Sequence, residues 1–219
     1  MSRASETPRR SYDEGCLVSH ALDLIGDRWA LLVVRELLLG PKRFAGLRAG
    51  LPGLSANILT RRLAELEEAG VLTRGKLPPP ASVQVYALTE AGEALWPVLR
   101  SFCRWAATMP GHDPRLFISP TALMLSMRAM VAPRGGPELT AGFGMAGETF
   151  LARMGQGSYS VARADALTGD LRFEGASNAM AAVVYGPSSL EASVVAGLVR
   201  FEGDPVLGQA FLDRFSLRR

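Results

Sequence analysis

The stretch LSANILTRRLAELEEAGVLTRGK, Leu54 to Lys76, decides the fold. Leu59, Leu63 and Leu66 recur at helical spacing and define a buried stripe, which leaves Asn57, Arg61, Ala64 and Glu68 on the opposite, solvent-facing side. Ser55 stands where a hydroxyl accepts an otherwise unpaired backbone N–H at the helix start, a cap contributing about 1 kcal/mol, and Gly70 closes the helix. VLTRGK, from Val71, reads as a strand. Pro78 to Pro80 form a loop tip that cannot continue a ladder, and SVQVYAL, Ser82 to Leu88, alternates as a returning strand. A capped amphipathic helix followed by a β-hairpin wing is the first unit of architecture.

Upstream, Leu17 to Leu39 is apolar at most positions, with Gly26 and Asp27 interrupting. It predicts a short helix, a turn capped by Asp27, and a second helix ending at Gly40 and Pro41. Arg43 to Ala49 predicts a third short helix, stopped by Gly50, Leu51, Pro52 and Gly53. A short helix, a Gly-containing turn and a capped helix with a polar outer face make helix-turn-helix geometry, in which the second helix enters the DNA major groove N-terminus first. Downstream, Thr89 caps a single predicted helix from about Glu90 to Ala107, where Leu95, Val98, Leu99, Phe102 and Trp105 form a stripe too broad to stay uncovered.

The charge distribution agrees with that geometry. The whole chain carries +3, all of it in the first half: 14 basic against 11 acidic residues up to Pro110, then 10 of each from Gly111 onward. Between Pro41 and Lys76 seven basic residues face three glutamates, the kind of patch that attracts phosphate. Taken alone such a patch is also what a solvated surface looks like; the capped helix and hairpin give it direction. Base-edge readers belong early on the helix, at Ser55, Ala56, Asn57, Thr60 and Arg61. Asn pairs bidentately with adenine, Arg with guanine, and Ala or Thr meets a thymine methyl, each bidentate pair adding roughly 1–3 kcal/mol of discrimination. Arg62, Lys42 and Arg43 are expected to hold phosphates, and Arg74 and Lys76, on the wing, to reach the flanking backbone or minor groove.

With 48% hydrophobic and 21% charged residues the chain is an ordinary globular sequence, long enough for two small domains. Two distant cysteines, Cys16 and Cys103, suggest neither a disulfide framework nor a thiolate zinc site, and fit a reducing cytoplasm. The polar N-terminus and the interruption of Trp29 to Leu39 by Arg35 and Glu36 argue against secretion or membrane spanning, so a soluble cytoplasmic protein is expected. Cys16 precedes His20 by one helical turn, close enough for a charged imidazole to lower the thiol pKa. The plainer reading is a cysteine packed at an interface.

TMPGHDPRLFIS, Thr108 to Ser119, reads as a linker. The chain then divides into a polar arm (1–15), a winged helix-turn-helix (16–108), a linker (109–118) and an α+β domain (119–219). That last domain opens with a helix at Ser119 and Pro120, continues through strands around Phe150, Tyr159 and Phe173 with Met145, Phe150 and Met154 on one strand, and alternates helices at Ser177 to Tyr185 and Ser188 to Ala196 with the strand LVRFEG and a terminal helix from Asp204 to Phe215. No cysteine follows Gly111, the only histidine there is His112, and carboxylates stand singly, so no catalytic, metal or cofactor site is expected and an enzyme is not. Met124, Met127, Phe150, Met154, Phe173, Met180, Val184, Leu198 and Phe211 are soft apolar residues suited to a deformable ligand pocket, with ordinary core packing as the competing reading.

The order of motifs, namely Cys16, IGDRW at Ile25 to Trp29, KRFAGLR at Lys42 to Arg48, LPGLSANILTRRLAELEEAGVLTR at Leu51 to Arg74 and YALTEAGEAL at Tyr86 to Leu95, resembles the HxlR-type winged helix regulators of bacteria. The resemblance implies a homodimer held by the first and last helices of the domain, with two recognition helices reading half-sites on double-stranded DNA about one turn (~34 Å) apart. It also implies, for some members, an early cysteine that senses oxidants or electrophiles, here Cys16; the proline that usually follows it is Leu17 in this chain. The tail from Gly169 to Phe215 resembles the C-terminal part of the sterol carrier protein fold, which implies a hydrophobic or acyl-chain ligand, although such domains also serve as dimerisation modules. The resulting expectation is a homodimeric α+β regulator, a repressor responsive to an apolar small molecule. The alternative is a lipid carrier in which the helical half serves dimerisation only.

Overall fold

The computed structural model describes residues 11–76, 83–132, 138–155 and 157–217. Helices α1 (Leu17–Ile25) and α2 (Ala30–Leu37) are separated by a turn in which the Asp27 carboxylate accepts from the Trp29 N–H at 3.3 Å. Helices α3 (Phe44–Gly50) and α4 (Ala56–Glu68) follow, and Ser55 caps α4 by accepting from the Ile58 N–H. Gly70 ends it with φ +69°, a left-handed conformation in which a Cβ is disfavoured. Strands β1 (Leu72–Lys76) and β2 (Gln84–Leu88) form the antiparallel wing, Leu72 opposite Leu88 and Lys76 opposite Gln84. The predicted tip, Pro78 to Pro80, lies outside the described residues. A third segment joins the wing at Lys42, whose N–H and C=O both pair with Tyr86, at 3.0 and 2.9 Å.

The single helix expected from Glu90 to Ala107 is two: α5 (Glu90–Glu93), capped by Thr89, and α6 (Trp96–Ala106). Pro97 is the cause. It has no N–H to continue the ladder and its ring crowds the preceding turn, so it fits only in the first turn of a new helix.

The second half begins at α7 (Pro120–Met130), capped by Ser119. Strands β3 (Leu139–Met145), β4 (Glu148–Gly155), β5 (Ser158–Arg163) and β6 (Leu171–Glu174) precede α8 (Ser177–Tyr185), α9 (Leu190–Val195), β7 (Arg200–Glu202) and α10 (Pro205–Leu212). The sheet runs β5-β4-β3-β6-β7, antiparallel except for β3 beside β6. Strand β3 was not anticipated, and Met145 stands on it rather than beside Phe150 and Met154 on β4. Ala146 and Gly147, both at positive φ, turn the chain between them, and a Cβ at Gly142 would sit 2.1 Å from the Thr168 carbonyl. The glycines that hide β3 from a propensity reading are there for close approach.

Two hydrophobic cores result. One gathers Val33, Val34, Leu37, Leu59, Leu63 and Leu66 beneath α4 and the wing. The other packs α7 and α8 on the sheet around Phe143, Phe173 and Phe211, with the Phe143 and Phe173 rings stacked at 5.1 Å. They are not independent: Leu38 and Trp96 pack against both, and Arg128 lies 4.4 Å over the Trp96 ring. The predicted linker is likewise fastened, since the Asn178 side chain donates to the Leu116 carbonyl at 2.7 Å and accepts from the Ile118 N–H at 3.2 Å.

Candidate nucleic-acid interface

Helix α4 buries Leu59, Leu63 and Leu66 and leaves Ser55, Asn57, Thr60 and Arg61 exposed, with Ala56 half-buried beside them. The Thr60 hydroxyl donates to the Ala56 carbonyl at 3.0 Å. Arg61 pairs with Glu65 at 2.8 Å on an otherwise open face. Exposed pairs contribute about 0–1 kcal/mol, so exchanging this one for an external acceptor costs little. Arg43 is exposed at the start of α3, and Lys76 is exposed on the wing. Arg74 is held by Glu67 at 2.8 Å and lies 5.7 Å over the Tyr86 ring.

Two expected phosphate contacts are placed differently. Arg62 is mostly buried between Asp27, at 3.1 Å, and Glu65, so it braces α4 against the α1–α2 turn. Lys42 is the clear correction. It is 4% exposed, and its ammonium donates to Glu36 at 2.7 Å and to Glu148 at 3.3 Å, so it faces the second domain and not solvent. Conversely, two residues on the outer face were not among the expected DNA contacts, although Arg48 belongs to the basic patch. Ile58 is exposed at the start of α4, and Arg48 lines an open groove of ≈ 770 Å³ with Phe44, Pro52, Gly53 and Ser55. Ile58 stands next to Asn57 at the edge of the polar stripe, and its apolar side chain gives no local sign of that exposure.

Cys16 is exposed at the N-cap of α1, where the backbone N–H groups of Ser19 and Val18 hold its thiol pKa below the ordinary cysteine value. The His20 imidazole is not among the groups that lower it; the backbone N–H groups at the helix terminus supply the polarisation. Burial pushes the Cys103 thiol up. Among the described residues no group of three His, Cys, Asp or Glu side chains is arranged to hold a metal ion. No helix among them is long and apolar enough to cross a membrane.

Leu17, Val18 and Leu22 on α1 and Val98, Phe102 and Trp105 on α6 remain exposed on the single chain, while Leu99 is covered. Of the residues read as a ligand pocket, all but Leu198 fall within the second core, fully packed; Leu198 is 40% exposed at the surface.

A capped helix with an open polar face, followed by a two-stranded wing, defines a winged helix-turn-helix protein. Residues 24–113 match the HxlR-like helix-turn-helix family. The uncharacterised HTH-type transcriptional regulator YvaP of Bacillus subtilis is 42% identical over 86 residues, covering 39% of this chain and 80% of that protein. The HTH-type transcriptional regulator YodB of the same organism is 38% identical over 86 residues, covering 39% and 77%. A solved structure of the reduced form of YodB, 35% identical, covers 45% of this chain and 100% of its own, with a TM-score of 0.40. The chain belongs to the HxlR-like helix-turn-helix family, and the matched segment ends before α7 begins.

Proposed function

We propose that the protein is a sequence-specific DNA-binding transcriptional regulator that works as a homodimer, with α4 in the major groove and the wing on the flanking backbone. The observation that carries this reading is the open polar face of α4, on which Asn57, Thr60 and Arg61 stand exposed directly after the Ser55 cap while Leu59, Leu63 and Leu66 anchor the other side. Membership of a family whose relatives are HTH-type transcriptional regulators supports it, and the uncovered apolar faces of α1 and α6 support the dimer. The test is a mobility-shift titration with a duplex that the protein itself selects from a random-sequence pool, repeated over a range of salt. Affinity is expected to fall steeply with salt as counterions are released, and Arg61→Ala to lose roughly 1–3 kcal/mol on the selected duplex. Salt-independent binding, or an Arg61→Ala variant that binds as well as its parent, refutes the reading.

We further infer a repressor responsive to an apolar effector; the effector reading is supported by the softness of the second core, which holds Met124, Met127 and Met180 together with the stacked Phe143 and Phe173. Its α+β make-up, with β7 followed at once by α10, supports the sterol carrier-like reading. A lipid carrier using the helical half for dimerisation alone has no need of DNA affinity. The same titration therefore separates the two, and native mass spectrometry of the purified protein reads any co-purified apolar mass.

A further inference from the structure

Resting on the DNA-binding reading, we propose that Glu148, in the second domain, is a positioning residue for the wing, acting through Lys42 and Tyr86 on Arg74. The charges at the junction alternate in one chain. Arg35 donates to Glu36 at 2.9 Å, Glu36 accepts from Lys42 at 2.7 Å, Lys42 also donates to Glu148 at 3.3 Å, and the other Glu148 oxygen accepts from Arg163, which also donates to Thr121 at 3.3 Å. Ser119, the cap of α7, donates to Glu36 at 2.6 Å. Glu36 and Lys42 are almost fully buried, so neither can lose the other without leaving a charge short of a partner in a poorly hydrated place.

Lys42 has a second attachment, and this one makes the chain directional. Its backbone is paired on both sides to Tyr86 in β2, Tyr86 stands directly opposite Arg74 in the wing register, and the Arg74 guanidinium rests over the Tyr86 ring. The ammonium end of Lys42 therefore reaches Glu148 as well as Glu36, while its backbone is bridged to the wing at Tyr86. Glu148 sits at the start of β4, immediately after the positive-φ turn from β3, so that hairpin is linked to the wing through Lys42, its side chain on Glu148 and its backbone on Tyr86. A glue between domains would explain the ion pairs; it would not require their central lysine to be hydrogen-bonded into the wing.

The full-length protein is tested as a double-mutant cycle of Glu148→Gln and Arg74→Ala, titrated against a duplex selected by the wild type from a random-sequence pool. Glu148→Gln keeps shape and removes the charge. It is expected to weaken binding by between about 2-fold and about 30-fold, to flatten the salt dependence by about one phosphate contact, and to have no further effect once Arg74 is alanine. Unchanged affinity overturns the proposal, as does an equal loss in both Arg74 backgrounds or a loss with the salt slope intact, the signature of a smaller folded fraction. Should Glu148→Gln lack a cooperative thermal transition, Arg163→Gln, which loosens Glu148 from its other side, is put through the same cycle and judged by the same criteria. A wild-type protein that retains no duplex refutes the DNA-binding reading itself, and the positioning role with it, whereas a wild type that selects a duplex leaves only the positioning role at stake.

Discussion

Lys42 and Arg43 are adjacent in sequence, equal in charge and opposite in situation. Lys42 is enclosed by Glu36 and Glu148, and Arg43 is exposed at the start of α3. Lys42→Ala is expected to lower stability by about 3–5 kcal/mol, because it strands buried carboxylate, while Arg43→Ala stays within about 0.5 kcal/mol and instead flattens the salt slope of DNA binding by about one. Urea denaturation and salt titration of the two variants read both effects; a Lys42 variant as stable as its parent would remove the ion cluster from the account. Gly50 adds a related test, since a Cβ there would lie 2.4 Å from the Glu36 carboxylate. Gly50→Ala is expected to cost about 1–3 kcal/mol by pushing that carboxylate off Lys42, and an unchanged urea midpoint would mean the cluster yields freely. The type of charge at position 42 was legible; its burial was not. Its second partner lies 106 residues further on, beyond any local pattern.

At the scale of elements, α4 was readable because cap, stripe and closing glycine all lie within it and agree. The split between α5 and α6 was signalled by Pro97 but outweighed by the apolar period that runs through it. Strand β3 was hidden because LTAGFGM carries glycines at positions where the Thr168 carbonyl and the Leu167 and Glu174 side chains come close, a tertiary requirement with no local trace. Helix α1 gives the element-scale prediction. A thiol whose pKa is lowered is thiolate at lower pH, so the rise of Cys16 alkylation with pH is expected below the ordinary cysteine midpoint of about 8.5. Cys103, partly buried and shifted upward, follows later. Iodoacetamide labelling at neutral pH, read by mass spectrometry of the digest, is expected to mark Cys16 first and to lose its fast phase in Cys16→Ser. Equal rates at the two cysteines would deny the helix terminus any influence on the thiol.

For the whole molecule, the two cores share Leu38 and Trp96 and leave one surface unexplained. Trp105 is 63% exposed and Leu17 83%, and with Val18, Leu22, Val98 and Phe102 they place large apolar side chains on α1 and α6, the helices that flank the winged domain in sequence. Aromatic side chains bury about 150–250 Å² each, so joining two such surfaces approaches the ~1,600 Å² of a stable interface. Phe102, half-exposed on α6 and outside both cores, is the position to change, because a charge there disturbs association without opening either core. The wild type is expected to sediment as a dimer at micromolar concentration and Phe102→Glu as a monomer. Its DNA affinity should collapse as well, since one recognition helix then holds one half-site and the second loses the advantage of being tethered. If the variant remains a dimer, the interface lies elsewhere; if it becomes a monomer and binds DNA undiminished, each chain reads its site alone and the two-fold arrangement is refuted.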